Sequence, residues 1–224
     1  MSAPQGGASS SFTDLMASLL AVFVLLFVVA QNKSVGDRNK DRDLLIRQLR
    51  GELRQAGIDS AAVMQDPRDP NSVVVVFPDS LFFLRGEEQM LPRGQQIVLE
   101  TTPRLTRVVC GPELRPRLDQ IVVEGHTDNT IPYGYTPQLG RRYNLRLSQL
   151  RSMDYVAKST EALANDDAAL GCYLDLVSAS GRGQEDPIKA AAGDAAVQRR
   201  VLLRIRLHAE VRDTLRLAAT PTAP

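Results

Sequence analysis

Residues 120–151 read QIVVEGHTDNTIPYGYTPQLGRRYNLRLSQLR, and they contain both a strand pattern and the start of a long helix pattern. Its first part, 120–124, is rich in β-branched residues and ends at Gly125, which predicts a buried strand. The longest helical pattern of the chain, 143–163, begins within the same stretch. A strand that leads through a loop into a long helix is a building unit of layered sheet-and-helix domains. Further strands and helices are therefore expected on both sides of it.

From residue 72 onward, the chain alternates between strand and helix patterns. Apolar and β-branched runs predict strands, and apolar periodicity predicts helices, in the order 73–77 (strand), 91–109 (helix), 120–124 (strand), 143–163 (helix), 174–179 (strand) and 201–207 (strand). This β-α-β-α-β-β order predicts an α+β domain with the helices packed on one face of a mixed sheet.

Polar side chains follow the strand at 120–124 and line the helix after it. Asp128 lies just beyond the strand, where open sheets place ligand-binding loops. Asn144, Ser148 and Arg151 are spaced by four and three residues, so they share one face of the helix. That face can point toward the loop of Asp128. Asn144 is equally suited to cap the start of the helix.

Several motifs in fixed order resemble the OmpA-like peptidoglycan-binding domain over about residues 72–208; they are VEGHTD (123–128), YN (143–144), LSxxR (147–151), GRG (181–183) and QRRV (198–201). In that family, the Asp of the TD pair and the Arg of LSxxR hold the amine and the carboxylate of diaminopimelate in the cell-wall peptide. The resemblance implies these roles for Asp128 and Arg151, with Asn144 as a further contact. A zwitterionic end suits one fixed anion and one planar guanidinium.

Two features depart from the family pattern. The loop 129–142 is longer than in the simplest members, and Gln198 replaces the usual Asn before RRV. The pocket could therefore have a different shape. An alternative is that Asp128 and Arg151 only pair with each other and order the loop.

The N-terminal residues 12–30 read FTDLMASLLAVFVLLFVVA and contain one charged side chain, Asp14. At about 1.5 Å per residue the run spans about 28 Å, close to the ~30 Å hydrocarbon core of a bilayer. The sequence predicts one transmembrane helix over 12–31 after a short leader, 1–11. A cleaved secretory signal is the alternative, but the leader contains no Lys or Arg and an acidic residue opens the run.

Two signals disagree about orientation. The flank after the span is basic, with Lys33, Arg38, Lys40 and Arg42, so the positive-inside rule alone would place the following domain in the cytoplasm. The resemblance to a wall-binding domain implies the opposite. We predict a single-pass protein of the bacterial inner membrane with a cytoplasmic leader and a periplasmic domain over 72–210.

Residues 32–71 predict a polar helical stalk that ends in a proline-rich stretch, and residues 211–224 predict a C-terminal tail. A short apolar seam with spacings of three, four and three residues runs along the stalk, formed by Ile46, Leu49, Leu53 and Ala56. Such a seam suits a two-stranded coiled coil in a dimer, or a helix that packs on its own domain.

The membrane helix carries a second resemblance. Asp14 in the context FTDLM, followed by Ser18 and an aromatic and aliphatic run, is similar to the B subunits of ion-driven rotary motors, flagellar MotB and the ZorB subunit of the Zorya anti-phage system. Both join such a helix to an OmpA-like domain. The resemblance implies that Asp14 carries the translocated proton or sodium ion, and that a homodimer sits inside a pentamer of A subunits.

The alternative for Asp14 is a local role, because Ser11 and Asp14 have capping-box spacing near the membrane surface. The uncharged leader and the absence of Trp favour ZorB over MotB. That resemblance implies a motor subunit that binds peptidoglycan and signals indirectly to cytoplasmic defence effectors. A flagellar stator subunit and a passive wall tether without an ion role are the alternatives.

Composition excludes several other classes. With 27 Lys and Arg against 26 Asp and Glu, the net charge of +1 gives no basis for nucleic-acid binding. The sequence contains no Gly-rich phosphate loop or activated nucleophile, so we predict no enzyme activity and no cofactor. His126 and Asp128 alone are not a metal ligand set. Cys110 and Cys172 precede neighbouring strands and could be a periplasmic disulfide or two buried thiols.

Overall fold

The computed structural model describes residues 7–188 and 194–208, and the side chains of 12–30, 39–188 and 194–208. It divides into two compact units, Met1–Lys40 and Asp41–Pro224. Helix α1, Gly7–Gln55, contributes to both units, which are described separately. The first part of the predicted leader, the side chains of Lys33 and Arg38, and the predicted tail 211–224 lie outside the described residues.

The first unit contains a candidate membrane span. Within the part of the chain that the structure describes, Phe12–Ala30 is the one helical segment long and apolar enough to cross a membrane. Its large apolar side chains are exposed, so they need lipid or a partner around them. Asp14 lies inside α1, and Ser11 is itself helical. The capping-box interpretation is therefore wrong, because a cap residue precedes the first turn.

The second unit contains a five-stranded sheet in the order β1-β2-β5-β3-β4. The strands are β1 (Ala62–Gln65), β2 (Ser72–Pro78), β3 (Leu118–His126), β4 (Val177–Gly183) and β5 (Arg200–Leu207). Strands β3 and β4 are parallel, and the other neighbours are antiparallel. The predicted mixed sheet is confirmed, with the short edge strand β1 in addition.

Among the described residues, four α-helices follow α1, namely α2 (Pro92–Val109), α3 (Pro137–Ala162), α4 (Asp167–Leu176) and the short α5 (Ala195–Gln198). Local chemistry explains where they begin. Proline stands at the first position of α2, where its missing N–H costs nothing. The Thr136 hydroxyl accepts a hydrogen bond from the N–H of Leu139, and the Asp166 carboxylate accepts one from the N–H of Ala169. The predicted strand 174–179 is wrong at its start. Its first residues belong to α4, the helix that Asp166 caps, and β4 begins only at Val177.

The core lies between one face of the sheet and the helices. Alternate strand residues such as Val75, Val123 and Leu203 are buried there together with residues of α2, α3 and α4. Phe82 joins the layers, because its ring meets Phe77 of β2 at 5.6 Å and Tyr155 of α3 at 5.5 Å. The helices therefore cover one face of the sheet, as predicted.

The C-terminal part of α1 belongs to the same core. Leu45, Leu49 and Leu53 are 0%, 0% and 3% exposed. The guanidinium of Arg50 donates hydrogen bonds to the carbonyl of Val63 at 2.6 and 3.0 Å, which ties the helix to β1. The apolar seam of the stalk therefore packs on its own domain, which is one of the two predicted alternatives; the other was a coiled coil in a dimer. The compact unit begins at Asp41, so most of the predicted stalk 32–71 is part of the domain.

A disulfide joins Cys110, at the end of α2, to Cys172 in α4. The bond closes a covalent loop over a sequence separation of 62 residues, with the two Cα atoms 6.2 Å apart. This loop contains β3 and α3, so the bond ties α2 to α4 across the segment that carries them. Of the two alternatives for these cysteines, the structure has the disulfide.

Replacing both cysteines with serine is expected to lower the free energy of unfolding by about 2–4 kcal/mol, because the unfolded chain is no longer closed into a loop. Urea unfolding of the full chain in detergent measures this through tyrosine emission. All five tyrosines lie between residues 133 and 173, and the chain has no Trp. A reductant should shift the wild-type midpoint equally and leave the variant unchanged; an unshifted midpoint in both cases contradicts a stabilising disulfide.

Candidate functional site

A pocket of about 200 Å³ opens at the carboxyl end of β3. It lies between the loop after this strand, the segment after β2, one face of α3 and the start of β5. Its lining consists of Arg85, Gly86, Thr127, Asp128, Thr130, Pro132, Tyr143, Asn144, Leu147, Arg151 and Arg199. The three residues that the sequence predicts for the site, Asp128, Asn144 and Arg151, therefore line one pocket.

Close contact between β3 and α3 positions these side chains. A Cβ atom on Gly125 would lie 2.2 Å from the carbonyl oxygen of Ser148, so only glycine allows the helix to approach the strand this closely. The Ser148 hydroxyl in turn accepts a hydrogen bond from the N–H of Gly183 at 2.8 Å. The predicted polar face of α3 thus points at the end of β3, as its spacing indicated.

Asp128 is 5% exposed and is held at both carboxylate oxygens. One oxygen accepts a hydrogen bond from the N–H of Thr130 at 2.9 Å, and the other accepts one from the guanidinium of Arg199 at 2.7 Å. Burial by itself raises the pKa of Asp128, but the bonds from Thr130 and Arg199 outweigh burial and hold the pKa below its ordinary value. The pocket therefore contains a fixed negative charge at neutral pH.

Arg151 is 1% exposed and uses all three guanidinium nitrogens. It donates hydrogen bonds of 2.8 Å to a carboxylate oxygen of Asp79 and to the backbone carbonyls of Leu84 and Glu87. Its guanidinium carbon lies 4.9 Å from the centre of the Phe83 ring. Arg151 therefore fixes the segment 84–87, which forms one wall of the pocket. It pairs with Asp79 and not with Asp128, so the alternative of a direct Asp128–Arg151 pair is wrong.

Asp79 is a site residue that the sequence patterns missed. It follows β2, is 3% exposed, and has one carboxylate oxygen without a hydrogen-bond partner among the described residues. Burial raises the pKa of Asp79 to about 6, although the nearby charges of Arg151 and Arg199 act in the opposite direction. The sequence feature that could have indicated Asp79 is its position directly after the apolar strand 73–77 and just before Phe82 and Phe83.

Asn144 holds the loop against the helix. Its amide nitrogen lies 3.2 Å from the carbonyl oxygen of Asp128, 3.1 Å from that of Thr130 and 2.9 Å from the side-chain oxygen of Gln184. Thr136, and not Asn144, caps α3, so the capping alternative for Asn144 is wrong. Asn144 remains a predicted ligand contact at the wall of the pocket.

Arg199 is the second site residue that the sequence reasoning missed. Its side chain is 24% exposed and bonds Asp128 at the pocket. It is the first Arg of the QRRV motif, which could have indicated it. The neighbouring Gln198, which replaces the family's Asn, bonds both backbone groups of Ile188 at 2.8 and 3.1 Å and so holds the segment after β4. Alternating charges thus run from Arg151 through Asp79 and Arg199 to Asp128.

A second cluster of charged groups lies on the sheet face away from the helices. Glu124, His126 and Asp186 bring potential metal ligands within 4.8 Å of one another. However, Arg204 bonds Glu124 at 3.1 Å, and Arg68 bonds Asp186 at 2.6 Å. Burial lowers the pKa of His126 more than its contact with Glu124 raises it. Because both carboxylates of the cluster already pair with arginines, we interpret it as a set of ion pairs that supports β3.

Comparison with known proteins shows a likeness in structure. No family model and no curated protein matches the chain. A MotB-like protein from Desulfovibrio vulgaris matches with a TM-score of 0.54 and 19% identity, over 80% of this chain and 99% of that one. The cell wall anchor of the T6SS from Pseudomonas aeruginosa matches with a TM-score of 0.47 and 21% identity, over 73% and 97% of the two chains.

The periplasmic domain of Helicobacter pylori MotB, residues 78–256 of that protein, matches with a TM-score of 0.48 and 15% identity, over 70% of this chain and 88% of that one. At these identities the likeness concerns the fold, and the first match carries it. The chain shares the fold of the MotB-like protein from Desulfovibrio vulgaris. The predicted fold class, an apolar N-terminal helix followed by an α+β domain with helices on a mixed sheet, is confirmed by the structure and by this match.

Proposed function

We propose that the chain is the B subunit of an ion-driven membrane motor and anchors that motor to peptidoglycan. The observation that carries the proposal is the pocket at the end of β3, in which a fixed carboxylate lies beside guanidinium groups. The same chain contains an apolar helical segment with a single carboxylate, Asp14. A wall tether needs only the first feature, whereas an ion-driven motor needs both.

The pocket chemistry suits the amino-acid end of diaminopimelate in a wall peptide. Asp128 stays ionised and can bind an ammonium group. Arg199 presents a partly exposed guanidinium beside it, and Arg151 has five N–H donors of which three are engaged. These groups supply the planar donors that a carboxylate requires. Asn144 would hold the loop around the ligand.

The membrane part supplies the proposed motor function. Phe12–Ala30 would cross the inner membrane once, with the leader in the cytoplasm and the domain in the periplasm. A carboxylate within a span is costly unless it pairs or exchanges an ion, which makes Asp14 the candidate proton or sodium carrier. In this role two copies of the chain would sit inside a pentamer of A subunits, and the wall-bound domains would stop the dimer from turning.

The proposed setting is the Zorya type of anti-phage defence, supported by the FTDLM context of Asp14. A cell that carries the chain with its neighbouring genes should then resist phage, and deletion of the chain should remove the resistance. A loss of swimming with unchanged phage resistance would instead identify a flagellar stator subunit.

Wall binding is tested by sedimentation of the full chain, in detergent, with purified sacculi. Replacing Asp128 with Asn is expected to weaken binding by about tenfold or more, because a charge-assisted contact to the ammonium group is lost. Asp175→Asn is the matched control, since that carboxylate is 73% exposed on α4. Tyrosine emission verifies that both variants are folded. Unchanged sedimentation of Asp128→Asn would overturn the assignment of this pocket.

A further inference from the structure

The loop 129–142 presents an exposed apolar surface at the rim of the pocket. Ile131, Tyr133, Tyr135 and Leu139 are 40%, 105%, 46% and 47% exposed, and Pro132 between them lines the pocket itself. Residues 131–139 read IPYGYTPQL and contain no charged side chain. We call residues 131–139 the rim surface. Its composition suits a neutral partner with apolar faces, and it provides no charges for an acidic or basic one.

The rim surface is held in place at both ends. Thr130 bonds the Asp128 carboxylate through its N–H, Asn144 through its carbonyl and Arg85 through its hydroxyl, at 2.9 to 3.1 Å. At the other end, Ile131 packs so closely on Gly140 that a Cβ atom there would lie 2.8 Å from it. The surface is therefore preorganised, which reduces the entropy lost when a ligand binds.

Tyr133 stands at the corner of a tight turn. The N–H of Tyr135 bonds the carbonyl of Pro132 at 3.1 Å, and Gly134 has φ of 79°, which the third residue of such a turn requires. Tyr135 packs edge-on against Tyr143, with the ring centres 5.8 Å apart. The turn thus holds the Tyr133 ring in solvent, two residues before a tyrosine whose ring packs against α3.

We propose that the rim surface binds the glycan strand of peptidoglycan, through stacking of the C–H faces of its acetylated sugars on Tyr133 and its apolar neighbours. This inference rests on the proposed function of the pocket. In peptidoglycan, the stem peptide is covalently attached to a sugar, so a peptide in the pocket places the glycan near the rim. Tyrosine provides a large amphipathic ring at low cost in side-chain entropy.

The test compares two soluble ligands on the full chain in detergent by calorimetry. One is a disaccharide–peptide released from diaminopimelate-type peptidoglycan, and the other is the same stem peptide without sugars. We expect the sugars to improve the affinity of the wild type by about five- to tenfold, and Tyr133→Ala to remove that gain with the affinity for the bare peptide unchanged. Tyr133→Phe should keep the gain, because the ring remains. Leu174→Ala, 54% exposed on α4, is the control.

The outcomes separate this inference from the proposed function. A wild type that binds neither ligand overturns the pocket as a peptide site. A wild type that binds both ligands equally, or a Tyr133→Ala variant that keeps the sugar gain, overturns the glycan surface alone. If Tyr133→Ala weakens both ligands equally, the loop supports the pocket and does not bind sugar. If the ring instead mediates self-association, Tyr133→Ala changes the sedimentation coefficient and the wild type shows no sugar gain.

Discussion

Replacing Asp14 with Asn is expected to reduce the biological output of the complex to that of cells that lack the chain. Asparagine is close to aspartate in size and stays polar, but it cannot take up and release a proton or hold a cation by charge. Membrane insertion should be unaffected, since the exchange removes a charge from an otherwise apolar segment. The measurement is phage plating efficiency on cells that express the chain with its neighbouring genes.

Two controls make this result specific to the carboxylate. Ser18 lies one turn after Asp14, and its hydroxyl donates to the carbonyls of Asp14 and Leu15 at 2.8 and 3.0 Å. Ser18→Ala removes a hydroxyl that bonds only carbonyls of its own helix, so phage resistance should persist. Sacculus binding of Asp14→Asn should equal that of the wild type. Full protection by Asp14→Asn would leave the passive tether as the better description of the chain.

Replacing Arg151 with Met is expected to lower the free energy of unfolding by about 3–5 kcal/mol at pH 8, because it leaves Asp79 as an uncompensated buried charge. The variant also loses the bonds that hold the carbonyls of Leu84 and Glu87. Arg146→Met on the exposed side of the same helix should change stability little. Urea unfolding followed by tyrosine emission provides the measurement.

The dependence on pH identifies Asp79 as the cause. Its pKa is already raised to about 6 in the folded protein, above the ordinary value of an aspartate. A group of this kind favours the folded state at low pH, and that contribution is lost as the pH rises through the folded-state pKa. Loss of Arg151 raises this pKa further, so the cost of Arg151→Met should be smaller at pH 5 than at pH 8. The double variant Asp79→Asn/Arg151→Met should be less destabilised at pH 8 than Arg151→Met. Equal costs at both pH values would show that packing, and not charge, sets the loss.

Sequence patterns located the elements that have local signals. The strand before Asp128 and the helix opened by Pro92 were predicted within a few residues, because alternation and N-terminal proline are properties of neighbouring residues. The four-residue strand β1 was missed, since it is too short to show a period. The start of α4 was missed because its signal is a single cap, Asp166, and its apolar end resembles a strand.

For the candidate site, sequence patterns predicted the residues of the pocket but not their partners. Asp128, Asn144 and Arg151 were placed in one pocket because each lies in a recognisable motif. Their partners could not be predicted in the same way. Arg151 pairs with Asp79 at a separation of 72 residues, and Asp128 pairs with Arg199 at a separation of 71. Which charge meets which depends on how the sheet brings the ends of β2, β3 and β5 together. The packing partner of the seam along α1 could not be predicted either, because the same spacing of apolar residues suits a coiled coil and a helix that packs on its own domain.

The disulfide between Cys110 and Cys172 has a mechanical consequence if the domain anchors a motor as proposed. A pull applied to the chain before Cys110 and after Cys172, for example through Arg199 of the pocket, is carried across this bond and bypasses the ring that contains Asp128, Asn144 and Arg151. The 62 residues of separation correspond to roughly 200 Å of extended chain that tension cannot draw out while the bond is intact. Under such a pull, any elastic yielding is confined to the chain outside the ring.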